Sequence, residues 1–314
     1  MKKWSLLVLI SALMLVMAAC GQKDAEEQKT GSSNEKAEEI TIEHEYGKAT
    51  VKKNPEKTVV FDFGVLDTLD ELGIEVTGVP QANVPKYLEK YAGKEYTNVG
   101  SLKEPDFEAI HELKPDVIFI SGRQAEMYEE FAKIAPTVFV GIDYSNYMDS
   151  FKKNMNTIAE IYGKESEMKT KLEEVDGRIA DVKSKTEGID QKALVVLGSE
   201  GKVSAYGPSS RFGLIHDVFG FKAADENIEE STHGQNITFE YILKTNPDIL
   251  FVIDRDAALD SNASVKAAVE NELVKKTNAY KEGKIIYLDA GYWYLSGGGL
   301  QSLEAMIESM EGAL

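Results

Sequence analysis

From Thr58 to Ala290 the chain alternates short, nearly uninterrupted apolar runs with longer stretches in which apolar residues recur every three or four positions. The runs form two series. TVVFDFG (58–64), VTGVP (76–80), DVIFIS (116–121) and TVFVGI (137–142) make the first; ALVVLGS (193–199), KVSAYG (202–207), DILFVID (248–254) and KIIYLDA (284–290) make the second. Short β-rich runs without polar alternation describe strands covered on both faces, and the helical spacing between them supplies the cover. The pattern predicts an α/β protein with parallel sheets in two lobes, 40–147 and 189–314. The intervening 148–188 is charged and has no strand-like run. Met155, Ile158, Ile161 and Tyr162 share one helical face there, and Leu172, Val175 and Ile179 another, which predicts a single long connecting helix.

One unit occurs in both lobes. FEAIHELKPDVIFISGR (107–123) returns as FEYILKTNPDILFVIDR (239–255), at a constant offset of 132 residues. Asp106 and Thr238 are placed to cap the helix, the proline stops it, and the strand runs out to an arginine. A helix lies antiparallel to the strand that follows it in such a unit. Glu108, Arg123, Glu240 and Arg255 are therefore expected on the carboxyl edges of the two sheets, where open α/β sheets bind ligands.

Composition sharpens this. The net charge of −18 excludes a nucleic-acid partner, which requires a basic footprint, and makes clustered arginine conspicuous. There are four arginines against 31 lysines. Arg123 and Arg255 stand at strand exits and Arg211 in a Gly-Pro-Ser-Ser loop, while Arg178 falls on the charged connector. Arginine holds planar oxyanions through paired hydrogen bonds and stays charged when desolvated, so three converging arginines would make a pocket for a multiply anionic ligand. The alternative open at this stage is that each pairs with a neighbouring carboxylate such as Asp254 or Asp256. Tyr206 and the loop Tyr292-Trp293-Tyr294 offer flat rings for stacking, with Tyr206, Tyr292 and Trp293 the ring candidates; Gln124 and His233 are candidate loop donors. The four histidines are scattered, so no bare-ion site is expected.

The segment MKKWSLLVLISALMLVMAAC (1–20) has two lysines, an apolar run too short for a comfortable span, and small residues before the only cysteine. It resembles the signal peptide and lipobox of bacterial lipoproteins, with Met17 where leucine is usual; Cys20 would be acylated, for example with palmitate. GQKDAEEQKTGSSNEKAEE (21–39) is polar and reads as a flexible tether.

A lipobox, two α/β lobes, a long helix between them and one helix-Pro-Asp-strand unit per lobe together resemble the substrate-binding lipoproteins of ABC importers for iron siderophores and vitamin B12. GPSSRFGLIHDVFG (207–220), STHGQNITFEYI (231–242), NPDILFVIDR (246–255) and WYLSGGG (293–299) are similar to the Gram-positive lipoproteins that bind ferric petrobactin and its catecholate precursors. The resemblance implies the class III fold, with two Rossmann-like lobes joined by one long helix. It implies a monomeric, non-enzymatic receptor anchored by Cys20 on the outer face of a Gram-positive type cell membrane. Such a receptor captures an anionic ferric siderophore in its cleft, needs no cofactor and holds iron only through the chelator. Glutamates at the positions of Glu108 and Glu240 dock on the ABC permease in that family. Haem or vitamin B12 is the alternative ligand within this fold. An extracellular hydrolase is the alternative class, against which stands the lack of a Gly-x-Ser-x-Gly elbow.

Overall fold

The computed structural model describes residues 38–259 and 264–314; the signal segment with Cys20, and 21–37 of the tether, lie outside the described residues. A hairpin of β1 (Glu39–His44) and β2 (Gly47–Lys52) comes first. β3 (Thr58–Val60), β4 (Gly78–Val79), β5 (Thr97–Asn98), β6 (Val117–Ile120) and β7 (Thr137–Phe139) build a five-stranded parallel sheet in the order β5-β4-β3-β6-β7. β8 (Lys192–Ser199), β9 (Lys202–Tyr206), β10 (Lys222–Ala223), β11 (Gln235–Ile237), β12 (Ile249–Asp254) and β13 (Ile285–Leu288) build the second, in the order β11-β9-β8-β12-β13 with β10 beside the start of β8. With the first sheet come α1 (Phe63–Glu71), α2 (Phe107–Leu113), α3 (Tyr128–Ala132) and α4 (Tyr147–Tyr162). α5 (Glu165–Glu187) follows, and then α6 (Leu214–Asp217), α7 (Phe239–Thr245), α8 (Arg255–Leu259), α9 (Lys266–Val269), α10 (Asn278–Lys281) and α11 (Leu300–Glu311).

All eight predicted runs contain strands, and their alternate residues fill opposite faces as the pleat requires. Val59, Phe61, Ile118 and Ile120 join one apolar cluster, while Val60, Val117 and Phe119 join another. The expectation of wholly parallel sheets fails at β9, which runs antiparallel to both of its neighbours, β8 and β11. Glu200 and Gly201 both take positive φ, 53° and 73°, so β8 folds straight back into β9 through a two-residue turn, with no room for a crossover.

The connector also differs from the single helix expected over 148–188. Gly163 takes a left-handed φ of 62° and ends α4, and α5 starts afresh at Glu165. α4 belongs to the first lobe: Asn154 Nδ2 donates to the carbonyls of Val140 and Gly141, and Tyr162 Oη lies 2.7 Å from Thr58 Oγ1. α5 alone makes the crossing. Its 23 residues span about 34 Å. They contact Glu71 of α1 through Lys171, Glu311 of α11 through Arg178, and the Phe219 carbonyl through Thr186.

The repeated unit is the same device twice. Asp106 and Thr238 cap α2 and α7, and Ile110 and Ile242 are the buried residues of those helices. Lys114 and Asn246 end them in the left-handed region, at φ 50° and 48°. The aspartate of each Pro-Asp pair then ties its strand to a neighbour: Asp116 accepts from the Lys57 amide, and Asp248 from the Lys192 amide.

The lobes share a core. One apolar cluster takes Phe63 and Leu66 from α1, Met155 from α4, Val175 from α5, Phe251 from β12, and Leu303 and Met306 from α11. α11 belongs to the second lobe by sequence but its start rests on α1. The Leu300 amide donates to Thr68 Oγ1 at 3.1 Å, and Gln301 Nε2 to the Asp67 carbonyl at 3.0 Å. A Cβ on Gly299 would stand 2.1 Å from the Gly64 carbonyl oxygen and 1.9 Å from Asp67 Oδ1. Gly299→Ala must push α11 off α1, and urea denaturation should show a loss of about 1–3 kcal/mol. Gly177, exposed in the middle of α5 with open space at its Cβ position, is the contrast. Gly177→Ala should raise stability by about 0.5–1 kcal/mol in the same assay.

Candidate ligand-binding cleft

In each sheet the chain runs outward from its first long strand on one side and then returns on the other. The reversals fall between β3 and β6 and between β8 and β12. Loops leaving such strands diverge and open a crevice at their carboxyl ends. Asp62 follows β3, and its Oδ1 accepts from the amides of Gly64 and Val65 to cap α1. Its Oδ2 accepts from Ser121 Oγ, just beyond β6, at 2.6 Å. Arg123 leaves this junction. In the second lobe Arg255 leaves β12, and its Nη1 donates to Ser199 Oγ at the end of β8, at 2.6 Å. Between the two junctions lies a cavity of about 1310 Å³, lined among others by Asp62, Arg123, Arg211, Arg255, Trp293 and Tyr294.

The three arginines meet on one residue. Arg123 donates to the Tyr294 carbonyl at 2.8 Å and the Leu295 carbonyl at 3.3 Å. Arg211 donates to the same Tyr294 carbonyl at 2.6 Å, with its guanidinium 4.6 Å from the Tyr294 ring centroid and 5.3 Å from that of Phe212. Arg255 Nε donates to the Tyr294 hydroxyl at 3.0 Å. The carbonyls point this way because Gly291–Ser296 forms one π-helical turn, closed by the Gly297 amide on the Tyr292 carbonyl, with Gly297 at φ 67°.

Among the described residues no carboxylate forms an ion pair with these three arginines. Asp254 accepts instead from Ser264 Oγ and the amides of Ala257 and Val265, and Asp256 from Ser199 Oγ and the Glu200 amide. Arg178, paired with Glu311 at 2.9 Å, is the one arginine in an ion pair among the described residues. Burial lowers the Arg123 pKa, and the like charge of Arg211 lowers it further. Burial would raise the Tyr294 phenol, but the Arg255 hydrogen bond and the fields of Arg211, Arg255 and Arg123 outweigh it and bring the pKa below its ordinary value.

The other sequence candidates divide. His233 and Trp293 line the cavity; His233 is exposed, while Trp293 is 2% exposed and its Nε1 has no hydrogen-bond partner among the described residues. Gln124 does not line it. It is buried, its Oε1 accepting from the Ser121 amide and its Nε2 donating to the Leu102 carbonyl, so a capping role replaces the expected ligand donor. Tyr206 and Tyr292 are also outside the lining. Tyr206 packs edge-on against Phe212 at 4.6 Å, behind Arg211, and burial pushes its phenol up to about 12. Tyr292 packs on Tyr87 of the first lobe at 4.2 Å. Glu108 and Glu240 are exposed in the first turns of α2 and α7 with no ion pair among the described residues. Tyr294 was visible only as one of three consecutive aromatics, because its role comes mainly from its carbonyl. Asp62 carried a signal, a carboxylate directly after the first buried run.

Among the described residues no three His, Cys, Asp or Glu side chains gather as a metal site. His216 Nδ1 lies 2.8 Å from the Phe221 carbonyl and His44 Nε2 lies 3.1 Å from that of Thr137.

Residues 59–292 match the periplasmic binding protein family. The petrobactin-binding protein YclQ of Bacillus subtilis is 50% identical over an alignment covering 100% of this chain and 99% of that protein. Its crystal structure superposes with a TM-score of 0.85, covering 88% of this chain and 98% of the other. The ferric-anguibactin-binding protein FatB of Vibrio anguillarum is 34% identical over 86% of each chain. The siderophore-binding protein BauB, solved with two acinetobactin molecules and ferric iron, superposes with a TM-score of 0.82 at 34% identity, over 88% of this chain and 98% of that one. With a family match over most of its length and a relative this similar along all of it, the chain belongs to the periplasmic binding protein family.

Proposed function

We propose that this chain is the substrate-binding lipoprotein of an ABC importer and captures an anionic ferric siderophore, petrobactin or a related catecholate, between its lobes. The observation that carries the reading is the unneutralised arginine set. Three of the four arginines and, among the described lysines, Lys103 alone line the cavity; Glu45, Asp62, Glu126, Asp143 and Glu230 line it too, but none forms an ion pair with those arginines. Their partners are neutral oxygens, and each guanidinium has five N–H donors of which one or two are engaged. An anionic chelate would supply the missing negative charge and accept the remaining donors, with strength that bonds between neutral groups lack. Flat catecholate rings suit the faces of Phe212, Trp293 and Tyr294. The chelator brings the iron's own ligands, so the protein needs only to recognise the complex. What the relatives bind supports the same class.

The resemblance assigns the exposed Glu108 and Glu240 to permease docking, one on each lobe. Charges at two separated points set orientation and encounter rate without touching the ligand. Acylated Cys20 would hold the receptor at the membrane, since dual or multiple acyl chains are needed for stable anchoring.

Three outcomes test this. Single changes Arg123→Ala, Arg211→Ala and Arg255→Ala should each weaken ferric petrobactin binding by about 1.5–3 kcal/mol in a fluorescence-quenching titration. Unchanged affinity in all three, with the fold intact, rejects the assignment. The double reversal Glu108→Lys with Glu240→Lys should leave that affinity unaltered and abolish siderophore-dependent growth; normal uptake would return both residues to helix capping. Cys20→Ser should release the protein from the membrane or leave it unprocessed, and a wild-type protein found wholly unacylated contradicts the anchor.

A further inference from the structure

A carboxylate lies buried where the lobes meet. Asp67, in the middle of α1, is 0% exposed. Its Oδ2 accepts from the Ser302 amide across the lobe boundary at 3.1 Å and from the Tyr87 hydroxyl at 3.0 Å; Thr68 Oγ1 lies 3.3 Å from its Oδ1. Ser302 is in the first turn of α11, so a side chain of one lobe caps a helix of the other. Tyr87 Oη is also 2.5 Å from Ser296 Oγ. Ser296 lines the cleft and ends the turn that carries Tyr294. A continuous hydroxyl path therefore leads from Asp67 to the cavity wall.

The path has two directions. With Asp67 ionised, Tyr87 donates to the carboxylate and the Ser296 proton can only turn to Tyr87 or be shared with the cleft. With Asp67 protonated, the acid can donate to Tyr87, which then donates to Ser296 and leaves the serine proton free for a ligand. We propose that Asp67 is a positioning residue for the cleft, and that a proton on its carboxyl group, relayed as hydroxyl direction through Tyr87 to Ser296, strengthens the capture of an anionic ligand.

Two further physical effects have the same sign. An ionised Asp67 is a buried negative charge behind an anion site, and it disfavours the closed contact of α1 with α11 because exposure would hydrate it. Burial raises the Asp67 pKa to about 7; the Ser302 and Tyr87 hydrogen bonds lower it and the Asp62 charge adds to the rise. The ionisable groups around it are Asp62 and Asp70 on its own helix, Tyr87, Tyr147 on α4 and Tyr292 on the turn. Asp70 is engaged by Lys90, Tyr91 and Gln301, and the pKa values of Tyr87, Tyr147 and Tyr292 are raised away from neutrality. A folded-state pKa above the unfolded one means that the Asp67 contribution to the docked lobes is complete below the unfolded value and is lost as pH rises through about 7.

The affinity part of this inference rests on the siderophore reading; the docking part does not. The test uses the full chain carrying Trp4→Phe, so that Trp293, in the turn itself, is the only tryptophan. The emission of the ligand-free protein should titrate near neutrality in the parent and be flat with Asp67→Asn, whose amide is uncharged like the protonated acid. Relative affinity for ferric petrobactin, variant against parent at the same pH, should be near one at pH 6, while at pH 8 the Asn variant should bind about three- to tenfold tighter. Tyr87→Phe cuts the hydroxyl path while leaving the acid, and should shrink the pH dependence of the affinity to the part carried by the buried charge itself. Identical emission profiles for parent and Asp67→Asn, or a relative affinity constant across this range, overturn the proposal, the latter marking a merely structural residue. A parent that binds no ferric petrobactin defeats the siderophore reading, and the emission titration still decides the role of Asp67.

Discussion

The close approach of α1 to α11 is the constraint from which the rest of the arrangement follows. It is possible only because Gly64 and Gly299 present no side chains to each other; an added Cβ at Gly64 would stand 2.8 Å from the backbone of Gly298 and Gly299. The contact returns the end of the chain to the first lobe and sets the turn Gly291–Ser296 between the sheets. From that position one carbonyl, that of Tyr294, can accept from an arginine of each lobe. The lobes are thus joined at three levels: the helix α5, a shared apolar cluster, and hydrogen bonds through a turn belonging to neither sheet.

That turn resolves an electrostatic problem that the cleft creates. Three guanidinium groups held together repel one another, and the simplest remedy, a buried carboxylate, would neutralise the site. The protein uses carbonyl, hydroxyl and ring dipoles instead. They satisfy some of the N–H donors without an ion pair, so the three guanidinium groups keep their charge side by side within an acidic molecule. Asp62, whose charge acts on Arg123, is itself bonded to two amides and Ser121, which limits how far it can turn toward that guanidinium. Preorganised donors of this kind need little reordering when an anion arrives.

Much of this was legible in the sequence, for reasons that can be traced to particular residues. Strands covered on both faces cannot alternate, so DVIFIS and DILFVID stood out, and the arginines after them could be placed at a sheet edge. Their repeat was readable because every part has a local cause: a capping side chain, a left-handed end, a proline, an aspartate aimed at neighbouring amides. Some misses had signals too. Gly163 sat where a helix ends, Glu200-Gly201 was a hairpin turn, and Ser121-x-x-Gln124 had the spacing of a capping box. What no pattern carries is contact between distant segments through the backbone. Neither the convergence of arginines on the Tyr294 carbonyl nor the burial of Asp67 against Ser302 leaves a mark in local composition, because Asp67 lies in LDTLDE, where a helix with two covered faces looks like one with a charged side.

The two kinds of acid in this molecule follow from the same geometry. Glu108 and Glu240 lie in water at the starts of matched helices, where charge costs little and can act on a distant partner. Asp67 lies where the start of α11 rests on α1, and there its charge is held against dehydration by the Ser302 amide and the Tyr87 hydroxyl. A receptor that must hold an anion and later surrender it gains from having both. The outer pair would fix which way the cleft faces, while the inner acid, linked to the cleft by Tyr87 and Ser296, makes the grip depend on whether a buried proton is present. The helix contact that aligns the arginines is thus also the one that a single protonation can tighten.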